Sequence, residues 1–462
     1  MSRFATAGLA AALAGLALAA RALAVEPPAP AEPAPRRHER GSGIEDDGRI
    51  PRPQRPADLP NPDRWRYLPE GRIPAGNFFE RFLVTSVAAP AVFKSSDAGW
   101  GGGLGIGDLD FRGQRRRENL AVYGTYSEEK QQSYGFAWRR WLHQRELPEG
   151  GVLQEERSFV QASASYSRTR TRRFFGIGPR SRKDADPANG VPGETRFTDE
   201  NVSVELGSEV AWPDPGDPLV LSGRLALDLH ELSGGLGSDP DTKDPMLGYP
   251  QLFGEAEHQD VVWARSGLRY DTRDSQRNPY GGFHVGARAE GGVLLHGSEL
   301  VGRLTLDASW VVPLPGLLHT GDPDEENPST DTFFLGWRTT LASGDLPFTL
   351  LPDLGGPDSL RGFVTGRFRD DASWFGRAEY RVWVLERGLG LKPPFRIERI
   401  GVAGFYELGS VGSSGIDLFE SRVQHSYGAS LIASIERAFP FRADLAFSKD
   451  GMRLTAGLGL SF

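Results

Sequence analysis

Met452-Arg453-Leu454-Thr455-Ala456-Gly457-Leu458-Gly459-Leu460-Ser461-Phe462, the last residues of the chain, decide the fold. Met452, Leu454, Ala456, Leu458, Leu460 and Phe462 fall on one side of an extended backbone. Arg453, Thr455, Gly457, Gly459 and Ser461 fall on the other, the period of two that a β-strand imposes. The scheme recurs upstream. Phe283, Val285, Ala287, Ala289 and Val293 alternate with His284, Gly286, Arg288 and Glu290, and Leu304, Leu306, Ala308, Trp310 and Val312 with Arg303, Thr305, Asp307 and Ser309. Soluble sheets alternate too, so length discriminates. These runs last roughly 9–11 residues, enough to cross a bilayer at a tilt, whereas soluble strands average about 5–6.

Such runs occur at 83–93, 98–111, 118–127, 131–142, 154–167, 198–212, 219–231, 258–271, 281–293, 298–312, 330–344, 371–385, 396–409, 423–436, 440–449 and 453–462. They predict an all-β fold, a 16-stranded antiparallel transmembrane β-barrel over residues 80–462, the even number suiting a single-chain bacterial barrel. With both ends of the barrel on the periplasmic side, the compact turns 272–280 and 437–439 lie there, and the long connections 168–197, 232–257 and 345–370 are external. One connection fits poorly: 313–329 is long, yet falls on the side of the compact turns, which puts a neighbouring strand in question.

The composition agrees. The 462 residues include 58 Gly, 10 Trp and 26 Phe, yet mean hydropathy is −0.39. A barrel reconciles these values, because only alternate residues need be apolar. The absence of Cys excludes disulfides, thiolate chemistry and Cys-ligated metal, and a net charge of −8 gives no general attraction to nucleic acid. At the start, Arg3 precedes the small apolar run Ala5 to Ala20, and Ala22-Leu23-Ala24 fits a signal-peptidase site. Residues 1–24 read as a signal peptide, the alternative being an N-terminal membrane helix; the run is short, Ala-dominated and followed by Arg21, which suits the signal. Residues 25–79 read as a Pro-rich disordered periplasmic tether, since 12 of the 34 prolines lie before residue 77, with a local anchor around Trp65 to Leu68.

Three stretches carry a family resemblance. Tyr270-Asp271-Thr272-Arg273-Asp274 is followed by Asn278-Pro279-Tyr280-Gly281-Gly282-Phe283; then come Ser359-Leu360-Arg361-Gly362-Phe363 and Phe405-Tyr406-Glu407-Leu408-Gly409. Phe174-Phe175-Gly176-Ile177-Gly178 and the terminal strand add weaker support. In order and spacing, over about residues 80–462, these resemble the bacterial surface antigen family, the outer-membrane barrel superfamily of BamA, TamA and the two-partner-secretion transporters. The resemblance implies that the sixth external loop, carrying Leu360, Arg361, Gly362 and Phe363, folds into the lumen. It implies that Leu458, Leu460 and Phe462 form a C-terminal assembly signal, although Phe462 also suits a plain interfacial aromatic. It further implies a role in inserting proteins into the outer membrane or moving them across it. The implied partners are outer-membrane lipid and lipopolysaccharide, the barrel-assembly machinery and periplasmic chaperones during biogenesis, and an unfolded protein substrate. The Pro-rich stretch does not encode a substrate-receiving POTRA domain, so capture falls to another partner or to the barrel.

The residues add their own physics. Asn278-Pro279 and Gly281-Gly282 are turn chemistry, and Asp271, Arg273 and Asp274, flanking Thr272, are placed for charge-assisted bonds that fix the turn. By parity Phe405, Glu407 and Gly409 face inward, while Val402, Tyr406 and Leu408 face lipid. A guanidinium from Arg361 then pairs bidentately with Glu407, or with Glu379 on the neighbouring strand. The family has Asp where Glu407 stands, which changes the reach; a structural lock and a gating role both remain open. Pro90 in the first strand and Gly457 and Gly459 in the last weaken pairing, compatible with a labile seam, although Pro90 also suits a strand start.

Enzyme readings find little. There is no G-x-S-x-G, H-E-x-x-H or P-loop, the eight His lack ligand spacing, Asp239 to Asp244 lacks the Gly and distal Glu of a calcium loop, and Gly101 to Gly107 is no nucleotide turn. No catalytic residue, metal or cofactor is expected. The competing reading is a passive or plugged pore, anion-preferring through lumen-facing Arg265, Arg269, Arg288, Arg303, Arg377 and Arg381. A third, an adhesive surface protein, rests on the long loops alone.

Overall fold

A computed structural model describes residues 41–73, 85–95, 99–179, 195–234, 258–387, 397–437 and 439–458. Among the described residues one antiparallel sheet of 16 strands dominates, each strand paired with the next in chain order. The strands are β1 (Ser86–Ser95), β2 (Gly99–Asp108), β3 (Glu118–Ser127), β4 (Gln132–Trp141), β5 (Phe159–Phe174), β6 (Thr195–Trp212), β7 (Leu219–Gly234) and β8 (Val261–Asp271). Then follow β9 (Gly282–Leu294), β10 (Leu300–Leu314), β11 (Asp331–Ser343), β12 (Ala372–Leu385), β13 (Ile397–Gly412), β14 (Gln424–Ile435), β15 (Phe439–Ser448) and β16 (Gly451–Leu458). The alternating runs locate these strands, with boundaries displaced by several residues. The run at 154–167, for example, is strand Phe159–Phe174.

The two faces of the sheet invert the rule of soluble proteins. Val285, Trp310, Tyr427, Leu431 and Leu454 stand exposed, whereas Arg377, Glu379, Arg381, Glu407 and Asp444 are buried. A sheet with apolar residues outward and charge inward is suited to hydrocarbon on its outer face.

Strand polarity sorts the connections into two sets. At the near end, where β1 starts, lie 109–117, 142–158, 213–218, 272–281, 315–330, 386–396 and 436–438; the far end carries 344–371.

Residues 41–73 correct the expectation of disorder. Trp65–Leu68 pairs antiparallel with Val152–Glu155, which pairs in turn with Gln144–Glu146. Ile50, Leu59, Trp65 and Tyr67 form one buried cluster with Leu147 and Leu153. A Pro-rich segment with few apolar residues cannot build a core by itself, but it needs only half of one when the 142–158 connection supplies the rest. The same docking explains the connection that fitted poorly. Pro51 bridges to Glu325, Arg52 N donates to Asp324 O at 2.9 Å, and Glu326 N donates to Ile50 O at 2.8 Å. The 315–330 connection is long because it binds residues 49–52, and no strand need be moved.

Residues 1–24, expected to be a signal peptide, residues 25–40 of the expected tether and the terminal Leu460 and Phe462 lie outside the described residues. Leu458 is the last described position of β16.

Candidate functional site: a buried arginine between three strands

The far-end connection 344–371 packs on the charged face of the sheet. Asp353–Leu354 pairs with Phe368–Arg369, and Leu354, Leu360, Phe363 and Phe368 form a buried cluster with Phe375 of β12 and Val411 of β13. Burying Leu360 and Phe363 stabilises the loop by about 1.5–3 kcal/mol each on transfer arguments, and it aims the intervening Arg361 at the sheet.

Arg361 is fully buried. Its Nε donates to Glu407 Oε1 at 2.8 Å and its backbone N–H to Glu407 Oε2 at 2.8 Å. Nη2 donates to Glu379 Oε2 at 2.9 Å, and Nη1 to Asp444 Oδ1 at 3.0 Å and Ser430 Oγ at 3.2 Å. The guanidinium lies 3.4 Å from the centroid of the Phe405 ring, close enough for cation–π attraction. Carboxylates from β12, β13 and β15 therefore surround one cation. Arg377 Nε also donates to Glu407 at 2.9 Å and Arg381 Nε to Glu379 at 2.7 Å, so the buried charges sit near balance. A buried charge left without such partners would cost several kcal/mol.

Glycines permit the approach. A Cβ on Gly362 would meet Phe447 O at 2.7 Å, and one on Gly409 would meet Trp374 O at 2.6 Å. Gly362 N donates to Ser426 Oγ at 2.7 Å, while Ser448 Oγ donates to Gly362 O at 2.7 Å.

The expected bidentate pairing with Glu407 through the guanidinium takes another form. Glu407 receives Nε and the backbone N–H, and the remaining nitrogens turn to Glu379 and Asp444. The alternatives Glu407 and Glu379 are partners together. The longer Glu407 side chain reaches the loop backbone, which is how it spans both donors. Asp444, Ser430, Ser426 and Ser448 escaped the sequence reading. A signal existed: Asp444 is an inward residue on an alternating strand, and it faces Ser430 in register.

The turn motif forms a second constellation at the near end. Asp271 accepts from Arg273 N (3.1 Å), Nε (3.0 Å) and Nη2 (2.8 Å). Asp274 accepts from Tyr280 N at 2.9 Å, and Thr272 Oγ1 both donates to Phe283 O and accepts from Phe283 N, each at 3.0 Å. Asn278 Nδ2 donates to Arg437 O at 3.0 Å, tying this turn to the 436–438 connection; Pro279 fixes the backbone between Asn278 and Tyr280. Of the two glycines, Gly282 rather than Gly281 is the position that requires glycine. Its φ is +101°, and a Cβ there would meet Thr272 O at 2.6 Å, whereas a Cβ on Gly281 meets Pro313 at an ordinary 3.6 Å.

The arginines expected to favour anions are mostly neutralised. Arg265 contacts Glu205, Asp228 and Glu290, Arg269 contacts Glu209, and Arg303 contacts Glu290, all within ion-pair distance. Arg377 and Arg381 belong to the network above, and Arg288 is exposed. Ser309, His284 and Asp307 form a hydrogen-bonded row, with Ser309 Oγ and His284 Nδ1 at 2.6 Å. The serine is the buried end and the aspartate the more open one. That order fits an oriented interior histidine, not an accessible nucleophile. Among the described residues no cluster of His, Asp or Glu is arranged to hold a metal.

A long meander with a charged inner face, an apolar outer face and a loop bonded to the inner face defines an outer-membrane β-protein of the barrel class. The Omp85 superfamily domain matches residues 116–462, and the chain belongs to that superfamily. Among solved structures it is similar to BamA from Haemophilus ducreyi lacking POTRA domains 1–3, at 14% identity over 81% of this chain and 70% of that one, with a TM-score of 0.44. It is also similar to CdiB from Escherichia coli, at 13% identity over 81% of this chain, with a TM-score of 0.51. The chain spans 62% of the length of CdiB, and at this identity the likeness concerns the fold. No curated protein matches the sequence significantly.

Proposed function

We propose that the sheet closes into a sixteen-stranded barrel in the bacterial outer membrane, reached by signal-peptide export. In this reading the loop bearing Arg361 is the sixth external loop, locked in the lumen, and the barrel assists insertion of proteins into the outer membrane or their passage across it. Closure is supported by a contact between opposite ends of the strand order. Arg116, between β2 and β3, donates to Glu436, between β14 and β15, at 3.1 and 2.5 Å. Both residues are buried, so the two flanks of the meander approach each other.

The observation that carries the functional reading is the Arg361 network. A loop bonded to three strands across the interior suits a lumen closed to solutes at rest, and disfavours an open passive channel. A barrel that handles polypeptides needs the membrane sealed to solutes while idle. The lock answers that need, with Glu379, Glu407 and Asp444 holding the loop. Lipopolysaccharide and outer-membrane lipid contact the apolar face in this reading, and assembly machinery and chaperones deliver the chain.

Planar-bilayer recording tests the reading against the passive pore. The purified chain is expected to give small, intermittent currents. Large steady currents would favour the pore and overturn the assignment.

A further inference from the structure

Residues 45–73 touch nearly the whole circumference of the near end. Glu70 accepts from Arg115 at 2.7 Å, reaching the 109–117 connection, and Trp65–Leu68 pairs with the 142–158 connection. Asn61 donates to Asp217 at 2.7 Å, reaching 213–218, and Arg64 donates to the carbonyls of Thr272 and Arg273 in the turn motif. Pro51 bridges to Glu325 in 315–330, and Arg437 in 436–438 donates to Gly48 O at 2.9 Å. Arg72 adds an ion pair to Glu398 at the start of β13. One segment thus contacts six connections, and twelve strands, β3 to β14, lie between the first and the last of them in the sheet order.

The short turn Glu70–Arg72 concentrates the effect. On one side Glu70 holds Arg115, and Arg116 Nη1 donates to Arg72 O at 3.3 Å. On the other, Arg72 holds Glu398 and donates to Glu436 O at 3.4 Å. These partners belong to the two flanks of the sheet, β2–β3 against β13–β15, which the Arg116–Glu436 pair joins directly. Arg72, Arg116 and Glu436 are buried, where ion pairs are least screened by salt.

We propose that residues 45–73 are a built-in stopper and clasp: they cover the near mouth, tie the two flanks of the sheet together there through β2–β3 and β13–β15, and must leave before the barrel can open. The inference rests on the barrel reading above. The segment is suited to release, because its hold is a series of local contacts, all but the Arg72–Glu398 pair on connections and none of them a strand pairing with the main sheet. Its core is two small clusters, Ile50, Leu59, Trp65 and Tyr67 with Leu147 and Leu153, and Leu68 and Ile73 with Val152, so it undocks at a fraction of the free energy of global unfolding.

A reversible crosslink tests this, helped by the absence of native cysteines. Arg66 and Gln154 face each other in the antiparallel pair, close enough for a disulfide in R66C/Q154C. Heat-modifiable electrophoretic migration of the full chain reports an intact barrel, and planar-bilayer recording reports opening. The oxidised protein should open at least tenfold less often than the same protein after reduction. In a second variant without a crosslink, R72Q, opening should become about tenfold more frequent than in the unsubstituted chain. An intact barrel that opens equally often oxidised and reduced, or never opens in either state, overturns the stopper while leaving the barrel reading in place. Failure of heat-modifiable migration in the unsubstituted chain would instead count against the barrel itself.

Discussion

Arg361 Nη1 lies 3.0 Å from Asp444 Oδ1, a contact that joins the far-end loop to the penultimate strand of the sheet. Asp444 is fully buried and also receives Ser430 Oγ at 2.6 Å. Asp444→Asn keeps the shape but removes the charge, turning one acceptor pair into a mixed group. The expected result is a folded barrel whose thermal transition falls by several degrees. An unchanged transition would deny the carboxylate a part in the lock.

Removing the cation has a larger effect, because it takes one charged donor from each of three buried carboxylates at once. Arg361→Ala should cost about 3–5 kcal/mol, the range for breaking a buried ion network by deleting one partner. Arg361→Lys should recover little of it, since an ammonium cannot present the forked donors that reach Glu379, Glu407 and Asp444 at once. Thermal melts of the three proteins in detergent check the order Arg, then Lys, then Ala.

Gly362 predicts a purely steric outcome. Gly362→Ala places a methyl 2.7 Å from Phe447 O and 2.8 Å from the Ser448 side chain. A loss of about 1–3 kcal/mol is expected from such overpacking, together with faster protease cleavage in 344–371. Gly281→Ala, whose methyl would make only an ordinary 3.6 Å contact with Pro313, serves as the control and should change neither.

Tyr67 gives the near end a pH dependence. Its phenol is pushed up to about 12, by burial first and then by the charges of Glu149, Glu70 and Glu326. An acid whose folded pKa lies above its unfolded value ionises first in the released segment. Docking is therefore intact below the ordinary phenol value of about 10 and weakens as pH rises from there toward about 12. Protease sensitivity of residues 41–73 should climb over that window, and Tyr67→Phe should abolish the climb.

Much of this was legible in the sequence where local rules suffice. Period-two alternation located the strands, and parity placed Glu407 and Glu379 on the face that meets Arg361. What escaped depends on contacts between distant segments. Asp444 obeys the same parity as Glu407, but nothing local says that β15 stands within reach of the loop. Residues 41–73 have the composition of a disordered tether, and their order comes from Leu147, Leu153, Glu325 and Glu436, up to several hundred positions away. The 315–330 connection misled for the same reason, since its length serves a partner and not its own turn. In the turn motif, residue types pointed to both glycines, while backbone geometry assigns the strict requirement to Gly282.

The central claim is that this barrel handles other proteins in the outer membrane, and depletion of the chain from its own cell tests it most directly. Quantitative comparison of outer-membrane and secreted proteins before and after depletion should reveal the specific loss of one or more of them, restored by the unsubstituted chain but not by Arg361→Ala. An outer-membrane and secreted complement that stays the same after depletion would contradict the account.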